Sequence, residues 1–488
     1  MTIGLDIPPA RLEMEAIDSP AAPGALLDAL CGQDSPTVLE SAARDERFGR
    51  YTLLSCRPLE VLSLREGLLT DCQGAVLARG DEQLWESLSR AMTPQSLPPD
   101  AALPADAPPY APGWIGYLGY ELGRHIEKLP GRAVRDTHLP DARLAFHDAL
   151  LIHDGLTGRW WLASLRFDSP PPGAGAAAEA LRSLLTTGGK ISDARHAPRP
   201  RGVLAPPDEF SFSPADYRRA VARCVEYIAA GDIFQVNLSQ RFTLRDAPDP
   251  LRIYQALRRD NPAWYAAYLG FEHQGRLCAI ASSSPELFLR LRGEHVLTRP
   301  IKGTRPRTGQ ADADRVAAAE LLASEKDNAE LAMIIDLLRN DLGRVCRFGS
   351  VRVSEPRVLE EHPTVYHLVG TVQGRLRQGV GPAEVLRATF PGGSITGAPK
   401  IRAMEIIDEL EPCARGVYTG CIGIAGVNGV SEWNIAIRTV VWDDGKAHVQ
   451  AGGGIVADST PRGEYEETLH KARALLQAIA VARGDGYD

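Results

Sequence analysis

The sequence predicts an α+β protein in which antiparallel sheets carry packed helices, and three observations carry that expectation. First, an alternating apolar stretch from Cys421 ends at Asn428-Gly429, and a second begins at Trp433, which reads as a hairpin across an Asn-Gly turn. Second, Asp444-Gly445 opens another turn directly afterwards, before His448-Val449-Gln450-Ala451. Third, helical stretches with recognisable caps stand apart from these strands, so consecutive hairpins replace a strand–helix–strand winding.

Taken in order, residues 1–168 form an N-terminal region and 209–488 a catalytic region. Breaker-rich stretches lie at 93–113 and at 169–208, and the second reads as a linker-like segment with a helix-like run at 176–187. Ser213-Pro214-Ala215-Asp216 caps a helix over 214–230, with proline in the first turn and Gly231 after the last. Further helices are predicted over 312–342, 382–389, 399–409 and from 463 to about 483. The strand 434–439 places Arg438 on one face with Asn434 and Ala436, opposite Trp433, Ile435 and Ile437.

The 488 residues could hold two or three average domains. With 44% hydrophobic and 24% charged residues the composition is that of an ordinary globular protein. A net charge of -8 argues against a nucleic-acid binder and requires local cations or a metal wherever an anion is bound. No stretch approaches the roughly 18 apolar residues of a membrane span. The acidic N-terminus (Asp6, Glu13, Glu15) lacks the apolar run of a signal peptide, so the cytoplasm is the expected compartment. Eight cysteines without a C-x-x-C pair suggest neither a zinc site nor a disulfide framework.

Several groups carry possible chemistry. Glu286 follows Ser284-Pro285, and sixteen positions later Lys302 stands in Pro300-Ile301-Lys302-Gly303-Thr304-Arg305-Pro306. A buried carboxyl at 286 would hold its proton and could donate it, and a desolvated lysine at 302 would be a nucleophile. Asp327 with Glu330, and Glu464 with Glu467, are each spaced i, i+3 on a helix, so each pair shares a face. Spacing alone describes a solvated acidic face better than a metal site; two such faces brought together would suit a hard cation such as magnesium. Gly452-Gly453-Gly454 follows a strand and would let backbone N–H groups approach an anion. The run Phe390 to Lys400 has the glycines of a phosphate loop, but Ala398-Pro399 separates Gly397 from the lysine and Ile401 follows it, so that motif fails.

Together these residues, with His367 in Tyr366-His367-Leu368-Val369, resemble the chorismate-utilising enzymes, strongly over about 210–483 and weakly before that. The resemblance implies an anthranilate synthase component I-like fold, a two-sheet β-sandwich core flanked by helices. It also implies magnesium held by Glu330 and Glu467 directly and by Asp327 and Glu464 through water. Arg438 and Tyr418 would take the enolpyruvyl carboxylate, Gly452, Gly453 and Gly454 the ring carboxylate, and Ser394 would bond the substrate. His367 would sit near the leaving hydroxyl, with Glu286 as acid and Lys302 as nucleophile.

Lysine in the Pro-Ile-Lys-Gly-Thr setting resembles aminodeoxychorismate synthase component I, where anthranilate synthases carry alanine. Gln235 stands where isochorismate and salicylate synthases carry the lysine that activates water. The branch so implied turns chorismate and ammonia into 4-amino-4-deoxychorismate on the route to 4-aminobenzoate and folate. No glutaminase constellation is apparent, so a separate glutamine amidotransferase subunit is expected to supply ammonia. Anthranilate synthase component I is the rival reading, and a non-catalytic amino-acid-binding regulator a more distant one. Val38-Leu39-Glu40-Ser41 and Asn261-Pro262-Ala263-Trp264-Tyr265 resemble segments of the tryptophan pocket of anthranilate synthases, with Ser41 and Pro262 as lining candidates; ordinary interdomain packing explains them equally well.

Overall fold

The computed structural model describes residues 4–43, 45–95, 104–187, 203–363 and 365–484. Parts of the two breaker-rich segments, at 96–103 and 188–202, lie outside the described residues. Two sheets of twelve strands each face one another, and every pairing between their named strands is antiparallel.

Side-chain alternation builds the layers. In the first sheet Ala267, Leu269, Phe271 and Ile280 point into the space between the sheets, whereas Ala266, Tyr268, Ala279 and Ala281 point outward to helices. In the second sheet Ile115, Tyr117, Ile422 and Ile424 meet them from the opposite side, and Trp114, Leu118, Cys421 and Ala425 face outward. Strands apolar on both faces need cover on both, so helices close each outer surface and the section reads helix–sheet–sheet–helix. This is the α+β class expected, with the two-sheet sandwich flanked by helices that the resemblance implies.

Both sheets draw strands from both sides of the 169–208 segment. Thr37–Glu40 pairs with Tyr265–His273 in one sheet, and Gly113–Leu118 pairs with Cys421–Gly426 in the other. The backbone ladder therefore runs across the boundary between the N-terminal and catalytic regions.

Predicted helices at 214–230, 382–389, 399–409 and 463–483 correspond to Pro214–Ala229, Pro382–Thr389, Lys400–Leu410 and Pro461–Arg483, and the helix-like run at 176–187 is Ala176–Thr187. The helix expected over 312–342 is two helices, Ala311–Ala323 and Glu325–Gly343. Ser324 interrupts it because its side chain accepts the Asp327 N–H at 3.2 Å and caps the second helix. That break places Asp327 in a first turn and Glu330 in the next.

Two further expectations are corrected. The glycines 452–454 lie inside the strand Lys446–Ile455, paired with Ser239, Leu238 and Asn237. Arg438 is not on a continuous strand. Ser431–Asn434 belongs to the second sheet and Thr439–Asp443 to the first, and residues 435–438 carry the chain between them. Arg438 adopts φ 53°, which breaks the period-two register that extended backbone requires. Among the described residues no helix is long and apolar enough to cross a membrane. All eight cysteines are free.

Candidate active site

The site forms where the chain changes sheets. Arg276–Ser284 lies in the first sheet and Leu287–Arg292 in the second, with Pro285-Glu286 between them. This crossing is stitched to the one at 435–438: Ile435 N donates to Glu286 O (3.0 Å), Ser283 N to Arg438 O (3.0 Å) and Ser284 Oγ to Ile435 O (2.6 Å). Proline at 285 has no N–H to leave unpaired in this gap. Glu286 and Arg438 are thus fixed relative to each other by backbone.

Glu286 is 4% exposed. Burial pushes its carboxyl up to about 7, against the Ser394 hydroxyl bond and the nearby Lys302, both of which favour the ionised form. Ser394 Oγ donates to Glu286 Oε1 at 2.5 Å, and Lys302 Nζ donates to Ser394 O at 3.1 Å. One residue therefore bridges the acid and the amine. Burial lowers the pKa of Lys302, while Glu330 and Glu286 oppose the shift. Ser394→Ala removes a bond that favours the Glu286 carboxylate. The alkaline limb of the kcat/KM profile, near pH 7 in the parent, should therefore move to higher pH, and an unmoved limb would detach that limb from Glu286.

Gly303 has φ 76°, and a Cβ there would lie 2.9 Å from Asp327 Cγ and 2.8 Å from Leu321 Cδ1. Its bareness lets the helices around Ser324 close on the strand Ile301–Pro306, so the space serves Asp327. His367 lies on Val365–Arg375 with Nδ1 2.9 Å from Thr304 Oγ1. Burial, then the neighbouring His362, pushes its pKa down to about 3. The ring is neutral at ordinary pH, so it can orient a hydroxyl but cannot act as an imidazolium acid.

The four carboxylates are only partly convergent. A Cβ on Gly453 would lie 3.1 Å from Glu464 Oε2 and 3.2 Å from Glu467 Oε1, so both acids rest on that bare backbone. Ser459 Oγ donates to Glu464 Oε1 at 2.6 Å, while Glu464 Oε2 is buried without a hydrogen-bond partner. Burial raises the pKa of Glu330, with Asp327 and Glu467 adding to the effect. Asp327 is held by Arg305 at 3.0 Å. Among the described residues no group of three His, Cys, Asp or Glu side chains already converges on one point. The donor set is nevertheless all oxygen, and the orphaned Glu464 Oε2 beside Glu467 is the kind of position a hard dication fills.

Lys471 was missed by the sequence reading, although Glu467 and Lys471 are spaced i, i+4. Its Nζ meets Glu467 Oε1 at 2.7 Å and Gly452 O at 2.9 Å, and its backbone carbonyl accepts from Arg438 Nη1 at 2.5 Å. Burial lowers the pKa of Arg438, with Tyr418 and Glu467 countering. Tyr418 is 8% exposed. The other glycines make room for neighbours too. A Cβ on Gly454 would strike Gln235 Nε2 at 2.1 Å, and both polar atoms of the buried Gln235 amide lack partners. A Cβ on Gly452 would strike Leu238 O at 2.5 Å.

A separate cavity of about 410 Å³ is lined by Ser41, Trp264 and Tyr265 among others. Ser41 Oγ donates to Trp264 O at 3.0 Å. Pro262, paired with Ser41 in the sequence reading, is not part of its wall. The Trp264 ring lies 4.6 Å from His362, which is 5.1 Å from His367.

Comparison with known proteins places this geometry in a family. The model for chorismate binding enzyme matches residues 49–477, well into the region where the sequence resemblance was weak. The chain is 38% identical to anthranilate synthase component 1 of Pseudomonas putida over 93% of this chain and 92% of that one. It is 37% identical to aminodeoxychorismate synthase component 1 of Bacillus subtilis, over 91% and 92%. The structure of anthranilate synthase component I from Streptococcus pneumoniae superposes with a TM-score of 0.71 at 30% identity, covering 89% of this chain and 94% of that one. The chain belongs to the chorismate binding enzyme family.

Proposed function

We propose that this chain is the component I of an aminodeoxychorismate synthase, converting chorismate and ammonia to 4-amino-4-deoxychorismate and water. The observation that carries the reading is the Lys302–Ser394–Glu286 bridge, which sets a partly buried amine beside a carboxyl that keeps its proton near pH 7. Lys302 Nζ forms a bond to ring C2 as both conjugated ring double bonds shift, C1=C2 to C1=C6 and C5=C6 to C4=C5, and the C4 hydroxyl leaves as water with the proton of Glu286. Ammonia then bonds to C4, both double bonds return, the C2–N bond to Lys302 breaks, and the new ammonium group gives a proton back to Glu286. The enolpyruvyl group stays on the product, and a separate lyase would release it as pyruvate. His367, neutral, orients the departing hydroxyl. Arg438 and Tyr418 hold the enolpyruvyl carboxylate, and the strand around Gly452–Gly454 the ring carboxylate. Magnesium, held by Glu330 and Glu467 directly and by Asp327 and Glu464 through water, would supply charge for that ring carboxylate. Gln235 is not a base, which disfavours water as the nucleophile.

Anthranilate synthase component I is the second reading, favoured by the name of the Pseudomonas putida relative. Lysine at 302 speaks against it. An amino acid such as tryptophan is the ligand this reading assigns to the open cavity beside Ser41 in either case.

The test uses the isolated chain with chorismate and magnesium. Ammonium should support turnover unaided, and glutamine only after an amidotransferase subunit is added. Glu467→Gln should raise the magnesium concentration needed for half-maximal rate. Efficient use of glutamine by the chain alone, or a magnesium titration identical in Glu467→Gln, would count against the assignment.

A further inference from the structure

The carbonyl on which Lys302 rests is shared. Ser394 O accepts from Lys302 Nζ at 3.1 Å and from Asn237 Nδ2 at 3.0 Å. A carbonyl only accepts, so the Asn237 amide turns Nδ2 toward it and Oδ1 away. A Cβ on Gly454 would lie 3.1 Å from that Oδ1, which is buried without a partner. Among the described residues the Asn237 side chain makes no other hydrogen bond, so it reaches this carbonyl at the cost of an unsatisfied acceptor.

The backbone of Asn237 is held firmly enough to aim that side chain. Asn237 lies on the strand Gln235–Leu244, opposite Gly454. Its N–H donates to Thr396 O at 2.8 Å, and its carbonyl accepts from Arg415 Nη2 at 2.9 Å. Arg415 also gives Nη1 to Ile395 O at 3.1 Å and is itself paired with the buried Glu411 at 2.7 Å. Strand and loop are therefore tied at three successive residues: Ser394 by the amide, Ile395 through the guanidinium and Thr396 by backbone. Lys302 has no such set of ties. Glu330, Glu286, Lys471 and Glu467 are the charged groups around it, yet among the described residues the one hydrogen bond of Nζ goes to Ser394 O.

Sharing has two effects. With both of its lone pairs engaged, Ser394 O is fixed in direction and pins the amine, whose own lone pair stays free for a bond-forming step. A carbonyl already accepting from Asn237 also stabilises an ammonium less than an undivided one would, which favours the neutral amine.

We propose that Asn237 is a positioning residue for Lys302, acting through Ser394 O: it aims the amine and takes part of the acceptor that the ammonium form would use. The catalytic consequence rests on the reading of Lys302 as the reacting amine.

Two variants of the full chain test it. Asn237→Leu keeps the bulk and removes the donor; Asn237→Asp removes the donor and adds a negative charge. Each is assayed for ammonia-dependent chorismate turnover. Each is also labelled with nitrogen-15 at lysine, and Lys302 Nζ, identified by its loss in Lys302→Ala, is titrated by NMR. Asn237→Leu should lower kcat by about tenfold or more with the chorismate KM within about twofold of the parent. Its Lys302 should titrate at higher pH than in the parent, and that of Asn237→Asp at higher pH still. If the leucine variant does not fold, Asn237→Asp carries both readouts. A Lys302 titration unmoved in the folded variants, or a loss confined to KM, overturns the proposal. A parent product other than 4-amino-4-deoxychorismate would fault the functional reading instead, and a moved Lys302 titration would still support the positioning role.

Discussion

Glu286→Gln should lower chorismate turnover by on the order of 10²- to 10⁴-fold, the usual loss when a positioned general acid is removed. The amide keeps the shape of the carboxyl and its contact with Ser394 but has no proton to give to a departing hydroxyl. The same substitution should leave the fold intact, and the sign of the pKa shift says more. In the folded chain the Glu286 carboxyl is raised from 4.5 to about 7, so the folded state binds this proton more tightly than the unfolded one. The group therefore costs the folded state increasing stability as pH rises from about 4.5 to 7. Glutamine removes that cost, so the variant should melt higher than the parent above pH 7, with the advantage vanishing below about pH 4.5. A variant that is inactive and also less stable at pH 8 would mean its inactivity reports damage to the fold.

Lys302→Ala should depress formation of the aminated product by at least about 10³-fold, since it removes the bond-forming amine of the first displacement. Residual turnover by direct attack of ammonia at C4 is compatible with the account, because Arg438, Tyr418 and Glu286 remain to bind and protonate. Lys302 also lowers the Glu286 pKa, so the rate alone does not demonstrate a covalent role. Intact-mass spectrometry of the parent chain with chorismate and no ammonia addresses that role. An adduct of chorismate less water on the peptide containing Lys302, absent from Lys302→Ala, is the expected result; a fully active alanine variant contradicts it.

Much of this arrangement was legible in the sequence because it is local. The hairpin turns carry their own residues, and Gly429 and the pair Asp444-Gly445 take the left-handed conformations such turns demand. The helices at 214–229 and 382–389 announce themselves by proline in the first turn. What was misread depends on contacts between distant segments. Alternation through 434–439 gave no sign that residues 435–438 leave one sheet for the other, because apolar residues suit either sheet. The glycines at 452–454 read as a loop for an anion, yet they are a strand kept bare so that Gln235, Glu464 and Glu467 can approach. Ser324, which caps the second of two helices, lies inside a pattern that reads as one continuous helix over 312–342. The sequence also suggested the chemistry of Glu286 and Lys302, though not the Ser394 bridge between them, since Ser394 lies 108 and 92 residues further along.

The central claim is that Lys302 commits this chain to amination at C4 with retention of the enolpyruvyl group, and product identity tests it most directly. The parent chain, chorismate, magnesium and ammonium are incubated together, and the products are resolved by mass spectrometry with pyruvate measured in parallel. The account predicts 4-amino-4-deoxychorismate as the main product and no stoichiometric pyruvate. Anthranilate with an equivalent of pyruvate would contradict it and assign the chain to the other branch of its family.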